Sequence, residues 1–290
     1  MEEQTIAEKY ELVFADYLGM VLCVLPIILM LVFFGFYLIE IIYQRKYKKP
    51  LFVFAQLFTK KLSLHHQSIL VEHFSFYRRL KPKYKRFFDH RVCHFIEKTK
   101  FESLSLLIDE EMKVLIAATH VKLTFGLRDY MNPLIKTIYI HPDIYFSEET
   151  QEYHKGEFNP KLKAIVLSWK HFYEGIAITN DKLNLGLHEF THALHIKSMQ
   201  NDKTSHVLFK EELESMHRAM ENTELKEKLL VSGLIRHYAF TDQYEFVAVL
   251  LEHFFESPEE LKTYFPGVYT KLKQMINFNE NYFKPNSVMK

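Results

Sequence analysis

Cysteine, tryptophan, glycine and proline are all scarce in this chain of 290 residues: it has 2, 1, 8 and 9 of them. The two cysteines are Cys23, inside an apolar run, and Cys93. They allow no disulfide framework and no cysteine-rich zinc module, so any metal must be held by histidine and carboxylate. The few glycines form neither Gly-x-Gly-x-x-Gly nor Gly-x-x-x-x-Gly-Lys-Ser/Thr, which leaves nucleotide phosphate loops without support. Charge of neither sign is in excess, with 37 Lys and Arg against 36 Asp and Glu. Binding to nucleic acid needs clustered surplus cations, so no such partner is expected. Apolar residues are plentiful at 48%, enough for an ample core in a chain of this length, and there are 16 histidines.

Residues 1–16 form an acidic leader with Glu2, Glu3, Glu8 and Glu11, followed by an apolar run from Tyr17 to Tyr43 whose single charge is Glu40. As a helix this run is long enough to cross a bilayer, with Tyr17, Tyr37 and Tyr43 as interfacial aromatics. The acidic leader and the lack of a small-x-small cleavage site argue against a secretory signal peptide. Arg45, Lys46, Lys48 and Lys49 follow at once. The positive-inside bias then predicts a single-pass membrane protein, anchored in the lipid bilayer by residues 17–43, with residues 44–290 on the cytoplasmic side.

Beyond the anchor, residues 50–100 read as amphipathic helices broken at Pro82, with the cations between Arg78 and Arg86 as a solvated face. Asp109 caps a helix that should end at Gly126. Thr137–Ile140 and Ala164–Trp169 are rich in β-branched and aromatic residues and read as strands, whereas residues 143–163 carry loop signals. A charged helical region covers 210–230, an apolar helix interrupted by acids covers 236–255, and Ser257-Pro258 starts a fresh helix. A small sheet followed by a mostly helical C-terminal part predicts an α+β domain.

The chemistry concentrates in Leu187-His188-Glu189-Phe190-Thr191-His192-Ala193-Leu194. On a helix His188 and His192 lie one turn apart on one face, so both imidazoles can address a single cation. Glu189, one position round, cannot share that direction but can reach a water beside the ion, the general-base role in His-Glu-x-x-His metallohydrolases. A third ligand must come from elsewhere. The metzincin spacing would need a histidine where Ser198 stands and a glycine where His195 stands, which excludes that class. His195 itself cannot converge with the other two from one straight helix, and is expected to support a ligand from behind or to face solvent. The remaining arrangement is the gluzincin type, with a downstream helical glutamate and a position left for water. Glu245 and Glu252 both qualify, but they stand about 10 Å apart along a helix, so they cannot both bind one ion. Glu245 is slightly better placed, its neighbourhood being buried by Phe246, Val249 and Leu250. It can also be read as the far half of a capping box with Asp242, and Glu252 as a carboxylate that orients a ligand histidine.

From about Phe87 to Phe278 the chain resembles the Mlc titration factor A (MtfA) family of zinc-dependent peptidases. The resemblance is carried by Asp109 through Ala118, by Val166-Leu167-Ser168-Trp169, by His188 through Leu194, and by Tyr238 through Phe255 followed by Ser257-Pro258. It implies a zincin-like fold, one Zn2+ ion on His188, His192 and Glu245, Glu189 as catalytic base, and Tyr238 as the phenol that stabilises the oxyanion. This chain departs from the family where His195 replaces the usual aspartate and Gln243-Tyr244 replaces a proline and alanine. The expected function is a zinc metallopeptidase of gluzincin type, aminopeptidase-like, acting on a peptide substrate by metal-activated water. Strands near Ile165 or Ile138 would align the substrate by edge pairing. The alternative is a regulatory binding protein on a zincin scaffold that captures a partner such as a transcriptional regulator.

Overall fold

The computed structural model describes residues 2–47, 49–56, 58–147, 150–178, 181–200, 204–221 and 223–285. The chain divides into two compact units, Met1–Leu51 and Phe52–Lys290. The first is one helix, α1 (Glu2–Tyr47), with Pro26 inside it. Its stretch Phe14–Tyr47 is long and apolar enough to cross a membrane.

The second unit begins with helices α2 (Leu64–His73), α3 (Ser75–Arg79) and α4 (Pro82–Lys98), then strand β1 (Lys100–Glu102) and helix α5 (Glu110–Thr124). Strands β2 (Thr137–His141), β3 (Tyr145–Ser147), β4 (Glu152–His154), β5 (Gly156–Asn159) and β6 (Ala164–Ser168) follow, then α6 (Trp169–Ala177) and α7 (Leu185–Met199). The remainder is helical: α8 (Thr204–Met220), α9 (Thr223–Val231), a 3-10 turn at His237–Phe240, α10 (Gln243–Glu256), α11 (Pro258–Tyr264) and α12 (Pro266–Met275). Proline occupies the first turn of α4, α11 and α12, where its missing N–H costs nothing.

The main sheet has the order β1-β2-β6-β5. β1, β2 and β6 run parallel, and β5 returns antiparallel beside β6. β2 alternates as a half-buried strand should, with Ile138 and Ile140 buried, whereas β6 is apolar almost throughout because both of its faces are covered. This corrects the expectation that Ile138 or Ile165 offers a free edge: β2 and β6 are paired on both sides, and the edge strand beside the helices is β5. The span read as a loop, 143–163, holds β3, β4 and β5. These strands are three or four residues long and partly exposed, so little core contact imprints a period on them. Trp169 opens α6 rather than closing the strand, with Ser168 as its cap.

Asp109 caps α5 as expected, accepting from Met112 N at 2.8 Å. The helix ends at Thr124, however, and Gly126 serves another purpose. A Cβ there would lie 2.3 Å from the carbonyl oxygens of Ile276 and Asn277, so glycine lets two backbone segments meet. Arg91, fully buried on α4, ties the start of this unit to α5. Its Nη1 donates to the carbonyls of Thr124 and Phe125, and its Nη2 donates to that of Val53.

Within this core His120 predicts how stability responds to acid. Its Nε2 pairs with the carbonyl of Tyr130 at 2.9 Å, its ring lies against Phe95 and Phe190, and its Nδ1 has no partner. Burial pushes the imidazole from 6.5 down to about 3. Between those values the unfolded chain holds a proton that the folded chain refuses. The contribution of His120 is therefore complete above the unfolded value and is lost as pH falls, at about 1.4 kcal/mol per pH unit. Denaturation midpoints should drop between about pH 7 and about pH 5, and His120→Phe should flatten that slope.

Candidate metal centre

Helix α7 lies in the interior, packed against α5, α8 and α10. Asn184 starts it: its side-chain oxygen accepts from Leu187 N at 3.0 Å, the usual asparagine cap. Its Nδ2 donates to the Gly175 carbonyl at 2.6 Å and to Glu256 Oε1 at 3.2 Å, while its backbone N–H donates to Glu252 Oε2 at 2.8 Å. One residue thereby fixes the helix start against both α6 and α10.

His188 and His192 follow one turn apart, with ring centroids 4.6 Å apart and planes at 87°. Asp242 caps α10 by accepting from the backbone N–H groups of Tyr244 and Glu245 at 2.6 and 2.9 Å. The Glu245 carboxylate is turned to the imidazoles, with Oε2 3.1 Å from His188 Nε2 and Oε1 3.3 Å from His192 Nε2. One donor atom from each of the three residues lies within 4.8 Å of the other two. Tetrahedral coordination with zinc bonds near 2.0–2.2 Å separates neighbouring ligand atoms by about 3.3 Å, so the two carboxylate contacts have the spacing of ligands to one ion. Glu245 Oε2 is buried and makes no hydrogen bond, an orphaned acceptor that a cation would satisfy.

Glu252 stands on the other side of the His188 ring. Its Oε1 is 2.7 Å from Nδ1 and also accepts from Arg236 Nη2 at 2.8 Å. The two glutamates left open by the sequence therefore part roles around one imidazole, Glu245 at Nε2 and Glu252 at Nδ1. Burial lowers the His188 pKa, but Glu245 and Glu252 outweigh it and raise it to about 10. Burial would raise the Glu245 carboxyl, yet the two imidazoles hold it well below the ordinary carboxylate range. Surroundings that favour positive charge so strongly suit a divalent cation.

Glu189 is 5% exposed. Burial raises its pKa, the imidazoles of His188 and His192 oppose that, and Glu245 and Glu252 add to the rise. It lies directly against Gly156 of β5, where an added Cβ would be 2.9 Å from Glu189 Oε1 and 2.7 Å from Leu185 Cδ1. A cavity of about 320 Å³ opens beside it, lined among others by Gly156, Glu174, Asp181, His188, Glu189 and Arg236.

His195 does not face solvent. It is 1% exposed, tilted against the Tyr244 ring at 4.4 Å and 33°, and burial pushes its imidazole down to about 4. The reason is that α7 is covered on nearly all sides, by Phe209 of α8 as well as by Tyr244. The side chain of Tyr238 lies outside the described residues. Sequence reasoning passed over Asn184, Gly156 and Arg236. Asn184 carried a legible signal, an asparagine directly before an apolar helical run; Gly156 and Arg236 acquire meaning only from what folds against them.

Two imidazoles and a carboxylate converging beside a buried acid on an α+β core, with a cavity opening next to them, are an arrangement of the metal-dependent hydrolase class. The profile of the glucose-regulated metallo-peptidase M90 family matches residues 45–276. The chain belongs to that family, the MtfA family named by the resemblance. It is also similar to an uncharacterized protein of Synechocystis sp., 25% identical over 242 residues that cover 76% of this chain and 86% of the relative.

Proposed function

We propose that this chain is a zinc-dependent peptidase of gluzincin type with a zincin-like domain, aminopeptidase-like and acting on short peptides. The reading rests on one observation, the convergence of His188, His192 and Glu245 beside the buried Glu189. When bound there, zinc supplies Lewis acidity to the peptide carbonyl and to the attacking water. His188 and His192 would hold it through Nε2, with Glu252 keeping the Nδ1 proton of His188 in place and so fixing the tautomer. Glu189, its basicity raised by burial, takes a proton from the water and hands it to the leaving amine. Tyr238 is proposed to donate to the oxyanion. The edge strand β5 runs past Glu189 at Gly156, and a substrate in extended form can pair with its outer backbone edge.

We further propose that α1 anchors the protein in the bilayer, with the catalytic unit on the cytoplasmic side. The apolar stretch Phe14–Tyr47 and the cations Arg45, Lys46, Lys48 and Lys49 support this orientation.

The full chain, purified in detergent, should carry one zinc ion by elemental analysis and digest a library of short peptides. A chelator should abolish the digestion and added zinc restore it. A folded chain that takes up no zinc, or a zinc-loaded chain that leaves the library intact, would refute the proposal.

A further inference from the structure

We propose that Arg236 reads a carboxylate in the cleft, so that the preferred substrates are dipeptides, in which the free C-terminal carboxylate lies next to the one bond an aminopeptidase can cut. This rests on the peptidase reading and names its substrate class.

Arg236 lines the same cavity of about 320 Å³ as His188 and Glu189, so whatever it binds shares that cavity with Glu189 and with one of the two converging imidazoles. Its position is set before any ligand arrives. Nη2 donates to Glu252 Oε1 at 2.8 Å, and that carboxylate, 2% exposed, is itself held by His188 Nδ1 at 2.7 Å and by the backbone N–H of Asn184 at 2.8 Å. A guanidinium fixed this way has little rotational freedom left to lose on binding.

Satisfying Glu252 does not require the arginine. Its Oε1 already has His188 and its Oε2 has Asn184. The Arg236 side chain meanwhile stays 39% exposed, open to the cavity rather than sealed over its partner. A guanidinium carries five N–H donors in a planar fork that matches a carboxylate with two parallel bonds, and one nitrogen engaged at an edge leaves the fork available.

At about 320 Å³ the cavity is on the scale of a short peptide. Its walls also carry Lys155 together with Glu174 and Asp181, so both signs of charge are present, as a zwitterionic guest requires.

The experiment compares a dipeptide with its C-terminal amide on the full chain in detergent. Hydrolysis is followed on the zinc-loaded protein, and binding to Glu189→Gln is measured by calorimetry. The free acid should be preferred at least tenfold in kcat/KM and bound correspondingly tighter by Glu189→Gln. Arg236→Gln should bring both acid-to-amide ratios close to one, whatever its absolute rate. Arg236→Lys, which keeps the charge without the fork, should retain part of the preference. Equal handling of acid and amide by the unsubstituted protein, or a ratio unmoved by either substitution, overturns the proposal. If no peptide is hydrolysed at all, the peptidase reading fails, and the binding ratio on Glu189→Gln still decides the role of Arg236.

Discussion

Glutamine in place of Glu189 is expected to lower peptide hydrolysis by about 10²- to 10⁴-fold while the metal content stays at one ion per chain. The substitution keeps size and shape in a site where Gly156 lies directly against the side chain. It removes only the capacity to take a proton. Glu189 is not among the three residues whose donor atoms converge, so the affinity for zinc should change little. Steady-state rates on a zinc-loaded preparation, with metal measured on the same sample, check both halves. Hydrolysis that survives would remove Glu189 as the base. The same variant separates catalysis from capture, since a role as a regulatory binding protein would persist in it.

Removing the Glu252 carboxylate should weaken zinc binding by about 10- to 100-fold, the usual consequence of losing the group that orients a ligand histidine. It should also destabilise the fold by about 1–3 kcal/mol, because the buried Asn184 N–H would lose its acceptor. Three donors meet this carboxylate: the His188 imidazole, the Asn184 backbone N–H and the Arg236 guanidinium. Glu252→Ala would leave the His188 ring free to turn and strip a buried amide of its acceptor at the very start of α7. Competition titration with a zinc chelator reads the first effect and denaturant unfolding the second. If both remain at their original values, Glu252 is a bystander.

Legibility along the chain followed how local the cause of each feature is. The caps Asp109, Asn184 and Asp242 act within three residues of themselves, and each does what its sequence position implies. The pairing of His188 with His192 needs only the pitch of a helix. The apolar stretch that became α1 is legible from composition alone. By contrast, the strands between Tyr145 and Asn159 left almost no pattern, because they are short and their exposed faces impose no alternation.

The sequence by itself determined that an i, i+4 pair of imidazoles flanks a glutamate on a buried helix, and that a downstream acid had to complete any metal site. Only the tertiary structure decided which acid serves which nitrogen. Glu245 and Glu252 lie on the same helix, and both reach His188 because α10 packs along α7 with two of its turns against the ring. Packing between distant segments likewise turned His195 inward, put Arg236 in the cleft and set Gly156 against Glu189. Contacts between segments far apart in the chain depend on the angle and register at which helices and strands meet. No single residue type encodes those quantities, because they follow from how all the side chains between them fill space.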